Sequence, residues 1–171
     1  SLAIAKAAAS ARQIPLYMHL REVYGLEREP LMPIPLSNMI NGGKHGVGLD
    51  IQEFLVIPHG VKSFIKAIQA LSEIYHTLGE IVSRRGLPKA VGDEGGYTCI
   101  DMATEEALEL LSSAVEESGY SLGSEVALGL DCAASQLYAG GAYHVDGREL
   151  SSESLMDWYI ELVSRYPIAS I

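Results

Sequence analysis

The spacing of apolar positions divides the chain before any chemistry is considered. Residues 2–12 are rich in alanine, which favours helix, and Pro15 closes that stretch. Leu16, His19, Leu20 and Val23 then recur at helical spacing, which predicts a second short helix stopping near Gly25. Pro30, Pro33 and Pro35 interrupt the pattern and mark the clearest boundary in the chain. Beyond it, Leu36–Ile40 predicts a strand whose prolines confine its start to an edge or entry position. A glycine-rich turn from Asn41 leads to a second strand over residues 50–57. There Ile51, Glu53, Leu55 and Ile57 alternate onto one face, and Gln52, Phe54 and Val56 onto the other. A carboxylate among aliphatic neighbours is costly unless it is paired, hydrogen-bonded or bound to a metal.

Residues 61–85 form a long amphipathic pattern, with Phe64, Ile65, Ile68, Leu71, Ile74, Tyr75, Leu78, Ile81 and Val82 at spacings of three and four. Gly86 and Pro88 end it. Thr104 is the expected N-cap of the next helix, with Glu105 and Glu106 in its positive first turn and Gly119 as its stop. Residues 126–131 are an apolar run typical of a buried strand. Ala139-Gly140-Gly141 predicts a turn, and Tyr143–Val145 a local pairing. Ser151 caps a last helix bearing Leu155, Trp158, Tyr159, Leu162 and Val163, Pro167 breaks it, and residues 168–171 begin another strand. Strands alternating with helices in the second half predict an α/β fold with a parallel sheet and crossover helices. The chain opens inside a helix and stops inside a strand, so more chain is expected on either side.

Composition narrows the partners. A chain of 171 residues is enough for one domain with a real core. Its formal charge of −10 argues against a nucleic acid or an anionic membrane, both of which need a basic patch. A small anionic substrate is compatible only if a local cation or a bound metal offsets that field. No apolar run approaches the ~20 residues that span a bilayer. The first nine residues resemble a signal peptide in their small apolar side chains, but Lys6 and Arg12 interrupt the pattern and no basic region precedes it. Cys99 and Cys132 form no C-x-x-C, which predicts free thiols and a reducing, cytoplasmic setting.

Three places could carry chemistry. In Gly92-Asp93-Glu94-Gly95-Gly96 two adjacent carboxylates are flanked by glycines, which let the backbone approach a ligand closely; a plain surface turn fits the same residues. Asp131 closes its strand, and in α/β folds ligands gather at the C-terminal strand ends, although an aspartate there can also simply cap the next helix. With Glu53 and Glu94 it makes a set of hard oxygen ligands suited to Mg²⁺. Zinc is disfavoured because no His/Cys cluster exists. The loop Asn41–Gly46 could hold a phosphate on backbone N–H groups, with Lys44 or His45 adding charge, or could be a structural turn. It is not a Walker loop, and neither cysteine has the histidine partner of a nucleophile.

Taken together, residues 33–43 with His45, Gln52-Glu53-Phe54, Gly92–Gly96, Gly129–Ser135 and Tyr166–Ile171 resemble the enolases (phosphopyruvate hydratases) in order and spacing, and the phrasing around Asp146–Leu150 is closest to archaeal and related prokaryotic forms. The resemblance implies an enolase-type modified TIM barrel, of which residues 30–171 would be the first half. Residues 1–29 would be the last helices of an α+β N-terminal capping domain. It implies Mg²⁺-dependent dehydration of 2-phosphoglycerate to phosphoenolpyruvate in glycolysis, by a hydro-lyase that is a homo-oligomer. Glu94 would correspond to the acid that assists departure of the β-hydroxyl, and Glu53 to its partner carboxylate near the leaving water. His45 would contact the substrate phosphate, and Asp131 would be the first of three carboxylates on the metal. In enolases the second metal ligand directly follows the strand corresponding to residues 168–171. The third ligand and the lysine base lie further on, so the 171 residues alone are expected to be inactive. The alternative is an enolase-like binding protein without catalysis.

Overall fold

The computed structural model describes residues 2–98 and 102–171, so Cys99 lies outside the described residues. The chain divides into two compact units, Ser1–Pro33 and Ile34–Ile171. The first holds helices α1 (Leu2–Ala11) and α2 (Leu16–Val23). Pro15 stands at the N-cap of α2, where its fixed φ of −59° suits entry into a helix.

The second unit is built on a six-stranded open sheet. It begins with β1 (Ser37–Asn41) and β2 (Glu53–Ile57), followed by helix α3 (Phe64–Arg84) and the two short strands β3 (Ala90–Val91) and β4 (Tyr97–Thr98). Helix α4 (Thr104–Glu117) leads into β5 (Ala127–Asp131) and the single turn α5 (Ala134–Leu137). A small meander of β6 (Tyr138–Ala139), β7 (Ala142–Val145) and β8 (Arg148–Leu150) precedes helix α6 (Ser152–Arg165) and β9 (Ile168–Ser170). The order across the large sheet is β3-β4-β1-β2-β5-β9. β1 and β2 are antiparallel, as are β2 and β5, whereas β5 and β9 run parallel with α6 as the crossover. The parallel alternation expected of the second half is present there.

The core lies between one face of this sheet and the helices. Phe54 and Val56 of β2 and Leu128 and Leu130 of β5 pack with Ile74 and Leu78 of α3, Leu108 and Leu111 of α4, and Leu162 of α6. Burying each such side chain stabilises the fold by about 1.5–3 kcal/mol. Alternation turns Leu55, Ile57 and Gly129 to the opposite face, where a Cβ added to Gly129 would lie 3.0 Å from Ile57 Cδ1. Glu53 and Asp131 follow in the same alternation at the end of that face.

Two expectations are corrected. The second strand starts at Glu53, not at residue 50, because Gln52 O is taken by Gly42 N–H at 2.9 Å, closing the loop between β1 and β2. Ile51 therefore leaves the face of Glu53 and joins Phe54 in the core, fully buried. Nor does Thr104 cap α4. It is the first helical residue and is fully buried, and its N–H and Oγ donate to Asp146 Oδ1 at 3.1 and 3.0 Å. Ser151 does cap α6, accepting from Ser154 N–H at 3.2 Å. Among the described residues no helix is long and apolar enough to cross a membrane.

Candidate active site

The register of the sheet sets three polar residues in a row. Asn41 at the C-terminal end of β1 pairs with Glu53 at the start of β2, and Glu53 pairs with Asp131 at the C-terminal end of β5. Directly opposed residues in antiparallel strands hold their Cβ atoms ~4.5–5.5 Å apart. Two carboxylates and an amide thus share one rim of the sheet.

The loop Gly92–Gly96 delivers a third carboxylate to that rim. It is the turn of the β3–β4 hairpin, closed by Gly92 N–H to Gly96 O at 2.8 Å and Gly95 N–H to Gly92 O at 3.0 Å. β4 lies parallel to β1, with Asn41 opposite Thr98, which holds the turn beside the end of β1. From the helix side, Tyr75 Oη donates to Gly95 O at 2.9 Å and its ring stacks on Tyr97 with centroids 4.5 Å apart. Gly79 in α3 makes room for this stack: a Cβ there would lie 2.3 Å from Tyr97 Oη.

So placed, Glu94 is ringed by partners. Its Oε2 accepts from Asn41 Nδ2 at 2.9 Å, and its Oε1 lies 3.6 Å from His45 Nε2. The Nδ1 of His45 faces both oxygens of Asp93 at 3.2 Å. His45 ends the 3₁₀ turn Gly43–His45, and the loop that follows it is tied back through Val47 N–H to Thr98 Oγ1 at 2.9 Å. Burial, then the neighbouring charges of Glu94 and Asp131 and a hydrogen bond with Glu94, push the Glu53 carboxyl above its ordinary value. The charged form of Glu53 is therefore disfavoured at the rim.

Asp131 stands on the open side of this cluster. Its Oδ1 accepts from Ala133 N–H at 2.9 Å, and Ala133 adopts a left-handed conformation with φ of 43° to make the sharp turn into α5. Asp131 is exposed, a hard oxygen ligand suited to a divalent cation. Among the described residues no three His, Cys, Asp or Glu side chains are grouped to hold a metal ion. Cys132, next along, is buried, and burial pushes its thiol up, away from a reactive thiolate.

Glu53, Glu94, His45 and Asp131, singled out from the sequence, thus meet at one rim. Sequence reasoning read Asn41 only as the start of a turn or phosphate-holding loop, and Asp93 only as one of two adjacent carboxylates beside glycines. Asn41 is in fact fully buried and touches both the backbone and the carboxylate of the glycine loop. Lys44 shares the turn with His45 but makes no hydrogen bond to the three carboxylates.

An antiparallel opening pair, then a helix-linked parallel strand, with carboxylates at one rim of an open sheet, is the layout of part of a modified α/β barrel. Residues 29–171 match the family model for the enolase C-terminal TIM barrel domain, and the chain belongs to that family.

Proposed function

We propose that this domain contributes the acid side of a site that dehydrates 2-phosphoglycerate to phosphoenolpyruvate. The observation that carries this reading is the convergence of Glu53 and Asp131 on one rim with Glu94, which Asn41 and His45 hold there. Removing a β-hydroxyl as water at neutral pH needs a proton donor, and here burial and the neighbouring carboxylates push the Glu53 carboxyl up. Glu94 is the acid that assists departure of the hydroxyl, and Glu53 lies beside the water as it leaves. His45 closes on the substrate phosphate, its ring steered by Asp93. Asp131 would be one ligand of a Mg²⁺ ion, which when bound would offset the negative charge that builds on the substrate carboxylate; enolase-superfamily sites are a well-known example of metal-stabilised charge of this kind.

The base that takes the α-proton and the remaining metal ligands come, on this reading, from outside these residues. Residues 1–29 belong to the end of a capping domain, and the assembled glycolytic enzyme is a cytoplasmic homo-oligomer. Site mapping by ¹H–¹⁵N NMR tests the assignment directly. Mg²⁺ should shift the amides of Asp131, Cys132 and Ala133, and 2-phosphoglycerate added with it should shift His45 and Gly92–Gly96. Asp131→Asn should abolish the metal-induced shifts. Shifts confined to other parts of the fold would overturn the reading.

A further inference from the structure

We propose that Asn41 is a positioning residue for Glu94, its side-chain amide fixing one carboxyl oxygen so that the other faces the rim. This rests on the acid role proposed above for Glu94. The orientation of an amide side chain is set by its partners. Here Gly96 N–H can only donate, so the Asn41 atom 2.8 Å from it is Oδ1. That turns Nδ2 towards Glu94 Oε2, at 2.9 Å. Nδ2 carries only protons, so Oε2 must accept. Oε1, the oxygen 3.6 Å from His45 Nε2, is left free at the rim.

Asn41 is held against swinging away. It is fully buried at the end of β1, and the backbone of the glycine loop closes over it: a Cβ on Gly92 or on Gly96 would lie 2.8 Å from its Oδ1. Glu94, by contrast, sits on a tight turn of a two-residue-strand hairpin and has a flexible side chain whose rotamers must be fixed by contacts. The other groups that face it are His45 from the loop after β1, Glu53 from β2 and, through His45, Asp93 of its own loop. Each of those titrates or carries charge. Asn41 is the neutral contact, and its direction to Glu94 does not change with pH.

A double-mutant cycle separates this role from simple support of the loop. Asn41→Ala and Glu94→Ala are made singly and together in the chain, and unfolding in denaturant is measured for all four proteins. Hydrogen bonds to charged groups couple strongly, so the effect of Asn41→Ala on the unfolding equilibrium should shrink about tenfold when Glu94 is already alanine. An equal effect in both backgrounds would mean that Asn41 only holds Gly96, and would overturn the proposal. If Asn41→Ala does not fold, the side-chain amide resonances of Asn41 decide the matter. They should move in Glu94→Ala while the Gly96 amide stays in place, and unmoved resonances would sink the proposal. Neither measurement requires turnover, so failure of the dehydration reading would leave both results interpretable.

Discussion

Glu53 faces Asp131 across the β2–β5 ladder, and burial with the charges of Glu94 and Asp131 makes its own charge unwelcome in the folded chain. Below the ordinary carboxylate value of 4.5, Glu53 is neutral whether the chain is folded or not. As pH rises past that value the folded state keeps the proton longer, and stability falls until the raised folded value is passed. Glu53→Gln removes that loss. The variant should be more stable than the parent at pH 7 by up to about 1 kcal/mol after solvent screening, with the gap closing towards pH 4.5. Urea unfolding of both proteins across that range checks it, and a pH-independent difference would refute it. Glu53 was legible as a misfit because period two set a carboxylate among aliphatic side chains. Asn41 was not, since asparagine before two glycines reads equally well as a turn. Only the return of the chain after α3, more than fifty residues later, gives its amide a partner.

At the scale of elements, local signals were reliable where the partner is also local. Ser151 caps α6 through a residue three positions on, as its sequence implied. Thr104 failed as a cap because its N–H and Oγ donate instead to Asp146, beyond β7 and distant in sequence. Asp146 itself accepts Arg148 Nη2 at 3.3 Å, while its own N–H donates to Asp50 at 2.7 Å, so it links the meander to α4 and to the loop before β2. Asp146→Ala should cost about 1–3 kcal/mol, the penalty for leaving the buried Thr104 donors without acceptors. Asp146→Asn, which keeps Oδ1, should lose much less. Thermal unfolding of the pair distinguishes them. The start of β2 was misjudged for a related reason: alternation continues through Ile51, but the loop's hydrogen bond from Gly42 already claims Gln52.

Helix α3 was legible as a helix because 21 residues give the 3.6 period room to declare itself, but Phe64, Ile65 and Ile68 of its expected apolar pattern are exposed. Its two faces make opposite predictions. Leu78 is fully buried, and Leu78→Ala should cost about 2–5 kcal/mol through lost burial and an unfilled cavity. Ile65 is 78% exposed, and Ile65→Ala should change stability by less than about 0.5 kcal/mol. Chemical denaturation of both variants would show the face assignment to be wrong if the costs were similar.

Across the whole molecule, the sheet brings chemistry together by direction as much as by sequence. β1 and β5 both end at the rim where β2 begins, so a β2 antiparallel to both is what puts Glu53 between Asn41 and Asp131. The family match over residues 29–171 accords with that layout. The most direct test is conversion of 2-phosphoglycerate, followed by the ultraviolet absorbance of the enol product, in a chain joined after Ile171 to the remaining barrel strands of the family. With Mg²⁺ the completed, folded barrel should turn over, EDTA should stop it, and Glu94→Gln should lower the rate by about 10²–10⁴-fold. The 171 residues alone should give no turnover. A folded barrel that binds Mg²⁺ without turnover, or turnover untouched by Glu94→Gln, would contradict the account.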